Sequence, residues 1–333
     1  MRKIIHVILS GGIGSRLWPI SRKSMPKQYI PLFRGSSLFQ LTAERNSQLT
    51  DQVIVVGNKD NFRLSQADLI RAGILNYSEI IEAAPRNTAA AIAFSVFELN
   101  PEDIILVTPS DHIITNEVAY AKAINEAVDL ASEGFIVTFG IAPSKPEIGY
   151  GYIEYSGNEV VSFREKPNLA TARDFIEQGN FLWNSGMFCF QAGVYLEELK
   201  AFESEIYETS LEAWKARTGA FLPEKETMRI PPVSVDYAVM ERSSKIKVVQ
   251  ATFGWSDLGS FESIWEHWEQ QGEVHHFRQK NCVMGSTKHV EFLGVSNLML
   301  VETPDAILIL DKSNSQDVKK IYERLQQEHP QLL

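Results

Sequence analysis

Ile4-Ile5-His6-Val7-Ile8-Leu9-Ser10-Gly11-Gly12-Ile13-Gly14-Ser15-Arg16-Leu17-Trp18-Pro19, with Met25-Pro26-Lys27-Gln28 close behind, decides how the rest of the chain is read. The apolar run Ile4–Leu9 predicts a buried first strand. It empties into glycines, which leave backbone N–H groups free to face an anion without interference from a Cβ. Arg16 and Lys27 add two positive charges, so that Ser10, Gly11, Gly12, Gly14, Ser15, Arg16 and Lys27 form a candidate cradle for a polyphosphate. A dinucleotide fold would instead carry G-x-G-x-x-G, and a P-loop would carry G-x-x-x-x-G-K-[ST]. Neither stands here.

Downstream, strand-like and helix-like runs alternate. Helices are expected over 37–48, 60–71, 88–99 (with Thr88 as N-cap) and 117–132, and strands over 52–56, 79–82, 103–108 and 135–141. That pattern predicts an α/β, Rossmann-like domain with a mixed, mostly parallel sheet covered on both faces. Ligands of such sheets gather at the carboxyl ends of the strands. The cradle, the turn Pro109-Ser110-Asp111-His112 and the turn Ala84-Pro85-Arg86-Asn87-Thr88 all fall at such ends.

From Gly149 the pattern changes to a hairpin around Ser156-Gly157-Asn158, a helix over 169–178, a strand over 186–191, mostly helix over 192–215, a short helix over 234–242, a strand over 245–249 and a helix over 260–268. This middle section reads as an insertion walling the pocket. Residues 270–280 are polar and weakly periodic, a linker in which His275 and His276 are solvated. Beyond it, strands over 282–284, 290–293, 298–302 and 306–310 and a helix over 315–326 suggest a small β-helix-like module. The expected domains are therefore 1–269, a linker 270–280, and 281–333.

A net charge of −10 argues against a nucleic-acid or anionic-membrane partner, so any nucleotide must sit on a local basic island. The start Met1-Arg2-Lys3 leads directly into a strand, too short for a signal sequence, and no apolar run is long enough to span a bilayer. Cys189 and Cys282 have no metal-type spacing and read as buried thiols of a reducing compartment. The expected setting is cytoplasmic. Asp111, after a buried strand, and Asp257, in Trp255-Ser256-Asp257-Leu258-Gly259-Ser260, are turn-formers by type. Beside a polyphosphate they are also a pair suited to Mg²⁺, which takes one or two carboxylates plus phosphate oxygens.

The run G-G-x-G-x-R-L-W-P…P-K-Q resembles the signature of sugar-nucleotide pyrophosphorylases, in the form of their mannose-1-phosphate guanylyltransferase branch. Further segments resemble the family in its order. They are Glu82-Ala83-Ala84-Pro85-Arg86-Asn87-Thr88, Gly149-Tyr150-Gly151-Tyr152, Glu165-Lys166-Pro167, Trp183-Asn184-Ser185-Gly186-Met187-Phe188, Asp236-Tyr237-Ala238-Val239-Met240 and the Asp257 motif.

The resemblance implies GTP bound by the cradle together with Glu82, Arg86, Asn87, Thr88, Ser110 and Asp111, and Mg²⁺ on Asp111 and Asp257. It implies the sugar phosphate on Tyr150, Gly151, Glu165, Lys166 and Asn184, with Arg16, Lys27, Asp111, Lys166 and Asp257 catalytic. Asp236 reads as structural rather than catalytic. The partners implied are GTP and mannose 1-phosphate, and a homodimer is expected. Longer relatives carry an isomerase domain of cupin type that this chain ends before reaching. The rival readings are a guanylyltransferase for another hexose or heptose phosphate, a nucleotide-sensing homologue without activity, and a nicotinamide-dependent oxidoreductase.

Overall fold

A computed structural model describes residues 2–33, 35–273 and 276–333; the expectation for His275 lies outside the described residues. The chain forms two compact units from interleaved segments. One comprises Met1–Gly11, Leu41–Ser110 and Ile114–Trp255, the other Gly12–Gln40, Asp111–Ile113 and Ser256–Leu333. Three of the five passages from one to the other fall inside the Gly-Gly, Ser-Asp and Trp-Ser motifs.

The first unit is built on a nine-stranded sheet. Its strands are β1 (Ile4–Leu9), β2 (Gln52–Asn58), β3 (Tyr77–Glu82), β4 (Ile104–Pro109), β5 (Ile136–Ile141), β6 (Tyr152–Ser156), β7 (Glu159–Arg164), β8 (Phe181–Gln191) and β9 (Ile246–Ala251), in the spatial order β3-β2-β1-β4-β8-β5-β9-β7-β6. Parallel pairing joins β3, β2, β1 and β4, and also β5 to β9. β8 runs antiparallel between β4 and β5. The inner strands are apolar along their length because helices cover both faces. The helices Asn87–Val96, Ala192–Phe202 and Ser204–Lys215 pack one side, and Glu117–Ser132 packs the other. The polar exception in β1 is His6, wholly buried and 2.8 Å from Thr108 Oγ1. Burial and then the Arg45 charge push its imidazole down to about 3, so it is a neutral core residue.

Six expectations need correction. The middle section is not an added wall: β6 to β9 belong to the sheet, and β8 lies at its centre. Its polar Asn184 and Ser185 disguised an eleven-residue strand as a six-residue one. Thr88 is not an N-cap; the helix begins at Asn87 after Arg86, and the Thr88 hydroxyl accepts from Val235 N at 2.9 Å. The helix expected over 192–215 breaks at Glu203, and the one over 234–242 is a π-helical turn, Asp236–Met240. No strand forms over 290–293.

In the second unit the helix Phe261–Gln271 opens on a Ser260–Ser263 capping box. A four-stranded sheet follows, of β10 (Phe277–Arg278), β11 (Asn281–Met284), β12 (Leu298–Thr303) and β13 (Ala306–Asp311) in that order, then the helix Val318–Glu328. β11 and β12 are parallel, the relation a β-helical coil needs. The core of this unit gathers Leu17, Trp18 and Leu38 with Trp265, Met284, Val301, Leu310 and Tyr322. Trp18 Nε1 also donates to Leu332 O at 2.8 Å. The glycine-rich loop therefore rests on side chains supplied from the far end of the chain.

Gly140 of β5 lies at a register shift where it pairs with Asn184. A Cβ there would stand 2.5 Å from Leu182 Cδ1 and 2.9 Å from Val248 Cγ2. Gly140→Ala is expected to cost about 1–3 kcal/mol by overpacking, read as a lowered urea midpoint at unchanged slope.

Candidate functional site

In the second unit the cradle is organised by Lys27. Its side chain is 4% exposed, and Nζ donates to Asp111 Oδ2 at 2.9 Å and to the backbone carbonyl of Asp257. The loop bends tightly around it. Lys27 N donates to Ile13 O, and Ser21 Oγ donates to Gly14 O at 2.6 Å. Gly14 has φ 75°, and a Cβ there would come within 2.5 Å of Lys27 Cβ, so only glycine fits. Arg16 stands exposed on the following 3₁₀ turn, with no ion pair among the described residues.

Burial raises the Asp111 carboxyl, but the Lys27 and His112 charges, with hydrogen bonds from Lys27 and its own amide, outweigh it and bring the pKa below the usual carboxylate range. Asp257 Oδ1 accepts from Gly259 N at 3.1 Å. The structure thus brings Lys27, Asp111 and Asp257 together across the sequence, two carboxylate-bearing segments tied to one ammonium.

The first unit holds a separate cluster. Gly151 O accepts from Asn184 N at 2.8 Å, and a Cβ on Gly151 would lie 2.4 Å from Glu165 Oε2. Glu165 is nearly buried (8% exposed), while Lys166, whose Nζ donates to it at 2.6 Å, is open to solvent. Burial works against the Lys166 ammonium, but the Glu165 hydrogen bond and the charges of Glu165, Asp236 and Tyr237 keep its pKa above the ordinary lysine value. Tyr150 packs edge-on against Trp183 and Trp255. Asp236 joins this cluster, accepting from Asn184 Nδ2 at 2.9 Å. Burial, then the Glu165 charge, push its carboxyl up to about 6.

The Arg-Asn-Thr segment buttresses the same region. Arg86 donates to Ile230 O at 2.6 Å and Met228 O at 3.2 Å, and Ala89 N donates to Val233 O. Arg86 is thus occupied in holding the chain ahead of Asp236. Glu82 is buried, its Oε1 has no hydrogen-bond partner among the described residues, and burial raises its carboxyl to about 7. Ser10 and Ser110 are buried at strand ends, with their amides bonded to Val56 O and Leu9 O. Asn87, Lys166 and Leu258 have positive φ of 68°, 45° and 45°. Backbone strain of this kind concentrates at functional sites. Composition gave no sign of it, since none of the three is glycine. Asp236, expected to be structural, lies within hydrogen-bonding distance of Asn184, and the apolar run after it buries the turn it begins.

Residues 5–273 match the nucleotidyl transferase family, and residues 278–325 match the MannoseP isomerase/GMP-like beta-helix domain. A mannose-1-phosphate guanylyltransferase of Salmonella muenchen is 38% identical, covering 98% of this chain and 74% of that one. The alginate biosynthesis protein AlgA of Pseudomonas aeruginosa is 39% identical, covering 97% and 72%. A Thermus thermophilus crystal structure, described as a mannose-1-phosphate geranyltransferase, superposes with a TM-score of 0.82 at 28% identity, covering 97% and 99%. The chain belongs to the nucleotidyl transferase family, in its mannose-1-phosphate guanylyltransferase branch.

Asp111→Ala leaves the Lys27 ammonium buried without its carboxylate. The expected cost is about 2–3 kcal/mol, below the range for a fully buried pair because Asp111 is 33% exposed. A carboxylate with a lowered folded pKa stabilises above its unfolded value, and the effect fades as pH falls through the folded one. The gap between wild type and variant in urea midpoint should therefore hold at pH 7 and close well below pH 4. Asp257→Asn, which keeps the carbonyl that Lys27 uses, should change the midpoint far less.

Proposed function

We propose that the protein transfers GMP from GTP to α-D-mannose 1-phosphate, releasing pyrophosphate and forming GDP-mannose. The observation that carries this reading is the buried Lys27 joining Asp111 to Asp257, within a chain close to 38% identical to a mannose-1-phosphate guanylyltransferase over nearly its full length. No protein nucleophile is needed, because the sugar phosphate is already an oxyanion and attacks the α-phosphorus in line. Positioning and charge neutralisation then make up the catalysis.

Arg16, exposed and without an ion-pair partner among the described residues, is suited to the pyrophosphate, and Lys27 adds its charge to the same cradle. Ser10, Gly11, Gly12, Gly14, Ser15 and Ser110 line the phosphate path. Glu82, with its unpartnered oxygen, and Asn87 are suited to guanine's N1 and N2 donors; Arg86 and Thr88 hold that segment in place. Lys166 meets the sugar phosphate, and Tyr150, Gly151, Glu165 and Asn184 meet the sugar.

Asp111 and Asp257 fit a magnesium ion: Asp111 is held ionised by Lys27, and Mg²⁺ asks for only one or two carboxylates. Bound there, the ion would neutralise charge on the phosphates. Among the described residues no group of three or more metal-ligating side chains gathers, so phosphate oxygens and water would supply the remaining ligands.

We further propose domain limits of 1–269, 270–280 and 281–333, a cytoplasmic setting and a homodimer. Two free, buried cysteines support a reducing compartment, and among the described residues no helix is long and apolar enough to cross a membrane. Ile307 and Ile309 on the open face of the edge strand β13 support self-association.

Pyrophosphate release tests the activity. Wild type with magnesium should turn over GTP and mannose 1-phosphate in preference to UTP, dTTP or ATP and to other sugar phosphates. Arg16→Ala and Asp257→Asn should each lower kcat by about 10²–10³, the scale of one lost electrostatic stabiliser. Equal rates with all four nucleotides, or a near-wild-type Arg16→Ala, would overturn these assignments.

A further inference from the structure

We propose that Asp236 is a specificity-determining residue for the sugar, positioning the Asn184 amide and completing with Glu165 a two-carboxylate surface that reads adjacent hydroxyls. This inference rests on the sugar-phosphate transfer reading above.

The Asn184 amide has one orientation. Its Oδ1 accepts from Thr138 Oγ1 at 3.1 Å and from Gly186 N at 3.1 Å, while Nδ2 donates to Asp236 Oδ1 at 2.9 Å. A flipped amide would set its oxygen against a carboxylate oxygen and its NH₂ against a backbone N–H, losing the bonds to Asp236 and Gly186 at once; only the Thr138 hydroxyl serves either orientation. The Gly186 N–H fixes the amide oxygen, and Asp236 is the acceptor that holds the Asn184 NH₂.

Asp236 is itself held firmly. It opens the π-helical turn Asp236–Met240, whose start is tied down by the Val235 N to Thr88 Oγ1 bond, and Ala238, Val239 and Met240 are buried in the core. Glu165 and Asp236 repel each other, and Lys166 is attracted to both. Two carboxylates and one amide of fixed orientation, beside an exposed ammonium, are a donor and acceptor set suited to a sugar phosphate: acceptors for hydroxyl protons, a donor for a hydroxyl oxygen, and a cation for the phosphate. Sites that hydrogen-bond a hydroxyl discriminate strongly against an analogue that misplaces it.

Asp236→Asn keeps the shape, removes the charge and leaves the Asn184 NH₂ with an amide partner of either orientation. With GTP saturating, kcat/KM for mannose 1-phosphate should fall about tenfold to a hundredfold, the scale of a hydrogen bond to a charged group, through KM more than kcat. The KM for GTP should stay within about twofold, and the preference for mannose over glucose 1-phosphate should narrow, because only sugar contacts change.

Asp236→Glu keeps the negative charge and an acceptor for the Asn184 NH₂. It should recover at least about tenfold of the loss seen in Asp236→Asn. Unchanged sugar selectivity in Asp236→Asn would overturn the proposal. So would a loss that falls equally on GTP and sugar phosphate, follows a lowered unfolding midpoint and is not rescued by Asp236→Glu. A wild type that turns over no sugar phosphate with GTP would instead remove the underlying activity, and this role with it.

Discussion

An ammonium group with almost no access to water holds the second unit's chemistry in place. Lys27 reaches from the loop after the first strand to the Asp111 carboxylate and the Asp257 carbonyl, so residues separated by 84 and 230 positions meet on one atom. A buried cation is tolerated only where good acceptors surround it. That constraint explains the local sequence: Gly14 has no room for a side chain, and Asp111 must stay ionised. The loop owes its shape to this one charge, and its floor to Leu17, Trp18 and Leu38 packed in the core of the same unit.

Much of the fold was legible because its elements have unambiguous periodicity. The strand Ile4–Leu9 and the helices Glu117–Ser132 and Leu169–Gln178 fall where their hydrophobic spacing puts them. What periodicity hid was long-range. Phe181–Gln191 carries polar residues because they serve a cluster around Gly151, and it lies between β4 and β5, far from both in sequence. Thr88 has the residue type of a helix cap, but its hydroxyl is used by Val235, a partner that no local rule can supply. The run 290–293 is apolar enough for a strand, yet Leu293 is 97% exposed and nothing pairs with it among the described residues.

The candidate site was legible as a set of motifs but not as an arrangement. Spacing alone gave Lys27 and Arg16 similar standing, whereas the structure makes one a buried organiser and the other a free surface charge. Arg86, expected at the nucleotide, is engaged with two carbonyls. Asp236, expected to be structural, shares its electrostatic surroundings with Glu165 and Lys166. In each case the distinction depends on burial and on partners more than forty positions away, which residue type does not encode.

The shared core of Leu17, Trp18, Met284, Val301 and Tyr322 bears on how such chains can be recombined. A chimera joined at residue 280 would look like a clean exchange of a tail, yet it would pair one parent's glycine-rich loop with another parent's foundation. The segments 12–40 and 256–333 pack one core, so an exchange that separates them is expected to leave mismatched side chains on both sides of the join.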